Sequence, residues 1–172
     1  MIDKARIENE LYGWIVKIDP RCIIANPNAP RPLDALYSTL HIIGTFPQGV
    51  AETRGIYKAN DQSIDMKYSD VEEVMVSINT FYSGAFLLAT SIKDSFIKLA
   101  AYDYFTTNNL LGYLRSSDVR DLTTGIDKHW EDRAQFDCFF ATRSLEMENI
   151  EVIRKVELTN KLDGVTTIIT QK

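Results

Sequence analysis

From Glu131 to Arg143 the chain alternates apolar and polar residues, with Ala134, Phe136, Cys138 and Phe140 on one side and Arg133, Gln135 and Asp137 on the other. A period of two fits a strand buried on one face and open on the other, because neighbouring side chains of a strand point to opposite faces. Extended throughout, these 13 residues span about 43 Å at about 3.3 Å each, longer than a typical strand. Such a strand needs paired neighbours and a layer of structure over its apolar face.

The rest of the chain supplies both. Ile7, Leu11, Trp14, Ile15 and Ile18 recur at helical spacing, so an amphipathic helix opens the chain and ends near Asp19-Pro20, where proline cannot continue it. A short apolar piece, Cys22 to Ala25, precedes a loop from Asn26 to Pro32 that holds three of the five prolines. Leu36 to Phe46 is aromatic and β-branched and reads as a strand closed by Pro47-Gln48-Gly49. The polar stretch from Val50 to Ser63 fits either a mobile loop or a short hairpin.

Val71 to Tyr82 puts Val74, Val76 and Ile78 on one face and Glu73, Ser77 and Asn79 on the other, a half-buried strand. Ser83-Gly84 then caps a helix predicted over 85–105, with Ala85, Leu88, Ala89, Ile92, Phe96 and Leu99 on its apolar side. Leu110 to Leu114 is expected as a short apolar turn or helix and Ser116 to Thr124 as a connection or short strand. Glu151 to Thr159 alternates again and, across a turn ending in Asp163-Gly164, forms a hairpin with Val165 to Thr170.

Helix, strands, helix, strands, with hairpin connections in the second half, predict an α+β fold: a mainly antiparallel sheet with helices packed on one face. At 172 residues, 45% hydrophobic and 25% charged, the chain has the size and composition of one folded domain, 1–172. A net charge of -5 and the lack of any basic run argue against a dedicated nucleic-acid binder. The N-terminus lacks the apolar stretch of a signal peptide and no window suits a membrane span, so a cytoplasmic protein is expected.

The sequence contains no G-x-S-x-G, H-E-x-x-H, Walker A or G-x-G-x-x-G motif. Cys22 and Cys138 are far apart in apolar surroundings and read as reduced core thiols rather than a disulfide. His41 lies among strand residues. His129 stands beside Trp130, Glu131, Asp132 and Arg133, but an extended chain puts Cys138 roughly 30 Å from it and sends Glu131 and Asp132 to opposite faces. A dyad or a metal site is therefore a poor reading, and a solvated strand start a better one. Arg133 falls on the face of Glu131, where such a pair can clamp the strand or a neighbouring subunit. Trp130 is either core, the default for a lone Trp, or an interface anchor.

The order of these signals resembles the phage neck or tail terminator proteins. The matching pieces are the helix around Leu11-Tyr-Gly-Trp14, the Ala25 to Pro32 loop, the strand at Tyr37, the Trp130-Glu-Asp-Arg-Ala134 motif leading a long alternating strand, and the final hairpin. The motif carries Trp where Tyr is the more usual aromatic. The resemblance implies a structural, non-enzymatic virion subunit without cofactor or metal, assembled in the host cytoplasm. It would form a ring, usually six-fold, that caps the tail tube, ends its growth and joins it to the head connector. DNA would pass the lumen without specific binding, helped by an acidic wall. A ring needs two different interfaces, and the candidate residues are Trp130, Glu131, Arg133, Pro30 and Arg31. The alternatives are another head-tail completion or adaptor protein, a small binding module, and a small hydrolase using His129 and Glu131.

Overall fold

A computed structural model describes residues 3–25, 32, 35–58, 63–108, 111–126, 129–151, 155–159 and 166–170. The chain divides into two compact units, one of residues 1–50 and 70–144 and a second of residues 51–69 and 145–172.

The first unit opens with α1 (Lys4–Ile15), whose first turn is capped by the Asp3 carboxylate accepting from the Arg6 N–H at 3.1 Å. Its Ile7, Leu11, Trp14 and Ile15 are buried as the spacing predicts. Beyond the helix, the buried Asp19 carboxylate accepts from the Ser38 hydroxyl at 2.5 Å and from the Arg21 N–H at 3.0 Å, which ties the helix exit to the sheet. β1 (Ile23–Ile24) pairs in parallel with β2 (Tyr37–Pro47), and β2 pairs antiparallel with β4 (Ser63–Phe81) from Tyr37 opposite Phe81 to Pro47 opposite Glu72. The proline-rich stretch at 26–31 lies outside the described residues.

The long alternating strand is present but differs at both ends. β8 (His129–Glu131) pairs with β7 (Thr124–Ile126) in a separate ribbon, and β9 (Arg133–Glu151) joins the main sheet. Asp132 makes the switch: its carbonyl accepts the Tyr82 N–H at 2.9 Å, a bond that breaks the run between the two ladders. At its far end β9 continues past Arg143 to Glu151, and β10 (Lys155–Thr159) and β11 (Thr166–Thr170) form the expected antiparallel hairpin by themselves. The Asp163-Gly164 turn is outside the described residues.

β9 lies between β4 and β5 (Gly112–Ser116), with β6 (Arg120–Asp121) pairing its first residues. The segment expected as an apolar turn or helix is thus an edge strand, bulged at the exposed Leu114, as β2 is bulged at the exposed Ile43. Arg133 bonds Asn79 and Gln135 bonds Ser77, so numbers rise on one strand as they fall on the other, and β4 and β9 run antiparallel.

The helix predicted over 85–105 is two: α2 (Ala85–Ser95) and α3 (Leu99–Asn108). At the break the Ser95 hydroxyl bonds the Ile92 carbonyl at 2.6 Å and Phe96, Lys98 and Ala101 make shorter-range backbone bonds to Lys93, Ser95 and Lys98. Phe96 turns into the core, whereas Leu99 is exposed, against expectation.

Leu40, Ile42, Val74, Val76, Ile78, Ala134, Phe136, Cys138 and Phe140 share one buried cluster with apolar residues of all three helices. The helices therefore cover one face of this sheet. Around Phe140 the rings of Phe96, Phe105 and Tyr113 approach edge-on at 5.4 to 5.7 Å between centroids, the geometry aromatic pairs favour. Both cysteines are free and buried, as the sequence indicates. Desolvation pushes the Cys22 thiol up to about 11 and raises that of Cys138 further still.

In the second unit, β3 (Glu52–Lys58) pairs antiparallel with the start of β4, from Glu52 opposite Ser69 to Lys58 opposite Ser63. Of the two readings open for this polar stretch, the hairpin is the one formed. Among the described residues no helix is long and apolar enough to cross a membrane.

Candidate protein interface

Period-two alternation buries Val74, Val76 and Ile78, and so puts Glu73, Ser77 and Asn79 on the helix-free face of the first unit's sheet. The same rule puts Arg133, Gln135 and Asp137 beside them. They meet across strands: Arg133 Nη2 donates to Asn79 Oδ1 at 3.0 Å, and Gln135 Nε2 to Ser77 Oγ at 2.8 Å. Asp137 receives Arg120 at 2.7 Å. Glu73 receives both terminal nitrogens of Arg115, at 2.7 and 2.8 Å, while that guanidinium lies 4.1 Å from the Phe139 ring centroid. The two parallel bonds from Arg115 hold the Glu73 carboxyl below its ordinary range.

At one end of this face the rings of Tyr37 and Phe81 stack at 4.9 Å, with Tyr82 tilted against Tyr37 at 6.1 Å. The exposed Arg133 guanidinium lies 5.2 Å from the Phe81 centroid. Tyr82 adopts φ +73, a left-handed conformation rare for a bulky side chain, where β4 turns toward α2. Its strained backbone is held by the bond to Asp132, one residue from Arg133.

Trp130 sits beside this platform in the chain, on β8 opposite Gly125, and is 78% exposed. The default expectation of a core Trp is thus corrected, and the alternative of a surface anchor fits. Arg133 does not pair with Glu131 as expected. The break at Asp132 puts the two residues in different ladders and commits Arg133 to Asn79 and Phe81. Glu131 is half-buried in β8. Pro30, Arg31 and the His129 side chain lie outside what is described. Asn79 and Phe81 were missed as site residues, because their partnership with Arg133 spans more than 50 positions and leaves no local pattern.

A second surface was also missed. The break between α2 and α3 leaves a largely apolar groove of about 540 Å³ lined by Phe96, Ile97, Leu99, Tyr102, Phe105 and Leu111. Ile97, Leu99 and Tyr102 on its rim are exposed.

Together these features define an α+β protein that exposes Trp130 and Arg133, residue types enriched where proteins meet partners. Residues 5–164 match the family described as phage neck terminator protein, and the chain belongs to that family of virion proteins. No curated protein matches the chain.

Proposed function

We propose that the chain is a structural, non-catalytic subunit that assembles into a ring, hexameric by the family resemblance. The ring caps the tail tube, ends its growth and joins it to the head-side connector. Membership of the neck terminator family supports this reading, and the observation that carries it is Trp130, 78% exposed and three residues along the chain from Arg133, which lies against Phe81. A large aromatic beside an arginine is the composition of an interface anchor, and leaving it in water gains nothing for the isolated chain. The acidic balance of -5 suits a lumen that DNA slides through without sticking. Assembly would take place in the host cytoplasm.

The test is tube growth in the presence of purified protein. Tube subunits mixed with it should stop at a uniform length, and the protein should run at a native mass of about 118 kDa, six times the 19.6 kDa chain. Tubes of unchanged length with the chain absent from their ends sink the capping role.

A further inference from the structure

Among the described residues, the second unit holds a ribbon of strands with no further strand on its outer edges. β3 pairs with β4 along Glu52 to Lys58. On the other side of β4, Asn149 of β9 donates to Ser63 Oγ at 3.0 Å and Asp65 Oδ1 at 2.7 Å, and the Tyr68 hydroxyl donates to Glu148 at 3.1 Å. The order is therefore β3, β4, β9. Among the described residues no strand pairs with the edge of β3, or with the edge of β9 over Leu145 to Ile150, that faces away from β4.

Both edges are exposed in an unusual way. A strand with one covered face alternates between buried and open residues, yet Leu145 to Ile150 are exposed at every position, and so are Glu52 to Ile56. Met147 is 72% exposed. Proteins guard free edges with proline, bulges or charge, and Leu145 to Glu151 has no proline and carries charge of one sign only, which a cationic edge can neutralise.

The two edges also match each other. Each is seven residues long, counting Leu145 to Glu151 against Glu52 to Lys58. The β9 segment carries Glu146, Glu148 and Glu151 and no cation, whereas β3 carries Arg54 and Lys58 against Glu52. The signs are complementary, and a parallel register that starts with Leu145 at Glu52 ends with Glu151 at Lys58. One edge fitting the other is a heterologous relation, the kind that repeats from copy to copy and closes into a ring.

We propose that Leu145 to Glu151 of β9 pairs with Glu52 to Lys58 of β3 in the next copy of this chain, so that main-chain hydrogen bonds stitch neighbouring subunits together. This rests on the ring reading above. β3 and β9 each run antiparallel to β4 and so share a direction. Copies related by rotation about the ring axis then meet through a parallel junction.

Disulfide trapping tests it. Met147→Cys is combined in turn with Thr53→Cys, Arg54→Cys, Gly55→Cys and Ile56→Cys, which sample both faces of β3. Within one chain β4 separates the two strands by about 9.6 Å, beyond the reach of a disulfide, so any bridge is between copies. At least one double variant should give, on oxidation, a covalent ladder ending at the ring's subunit number, absent from each single-cysteine variant. A native ring in which no double variant crosslinks overturns the edge pairing and leaves the ring reading standing. A chain that stays monomeric both alone and with tube overturns the ring reading, and the junction with it.

Discussion

The indole N–H of Trp14 donates to the hydroxyl of Ser95 at 3.0 Å, inside the core and across 81 positions of chain. One bond thus fastens α1 to the end of α2, and the same hydroxyl satisfies the Ile92 carbonyl. Replacing Ser95 by Ala leaves a buried indole donor without its partner. Such an orphan costs about 1–3 kcal/mol, and urea unfolding of Ser95→Ala should show a loss of that size. An unchanged midpoint would mean that the bond is not what fixes α1.

Phe140 is fully buried and touches three other rings. Phe140→Ala opens a cavity on the covered face of β9, where the surrounding rings are held from several elements and cannot collapse together. The expected cost is about 3–5 kcal/mol, read from the same unfolding curves. Phe140→Leu should cost clearly less.

The pairing of Glu73 with Arg115 sets a pH dependence. Bonding to Arg115 lowers the folded pKa of Glu73 below its unfolded value. The pair's contribution is then fully present above the unfolded value of about 4.3 and is lost as pH falls through the lower folded value. Glu73→Gln should be less stable than the parent by a constant amount from pH 7 to 5, and the gap should close in more acid solution. Midpoints across pH 3–7 give the readout, and a gap that widens in acid contradicts the assignment.

Trp130→Ala separates folding from assembly. With its ring in solvent, truncation should change the unfolding free energy by no more than about 0.5 kcal/mol. Self-association or binding to tube ends should weaken at least about tenfold, since buried anchors of this type carry about 2 kcal/mol or more. Sedimentation against concentration measures it, and equal association by parent and variant removes Trp130 from the interface.

Where one face of a strand is covered, the sequence was readable. Val74, Val76 and Ile78 against Glu73, Ser77 and Asn79, and Ala134 to Phe140 against Arg133 to Asp137, assign both faces of the main sheet by alternation alone. Glu52 to Ile56 escaped because a strand open on both sides imposes no alternation on its residues. The same reason hid the continuation of β9 through Leu145 to Ile150. The helix break escaped because Ser95 and Phe96 suit an uninterrupted helix, and the contacts they make at the break, with Trp14 and Phe140 among others, are tertiary and leave no local pattern. Trp130 carries no mark of exposure in its identity, and Arg133 exchanges Glu131 for Asn79 through a backbone bond at Asp132.

The two buried thiols bear on how long such a subunit lasts. A virion protein persists outside the cell, in air and light, with no enzyme to repair it. Thiolates are the species that oxidants attack, and burial keeps Cys22 and Cys138 protonated. Sulfur chemistry therefore does not set the age limit of the folded chain at these two positions, and a particle stored for long periods should still present them unmodified.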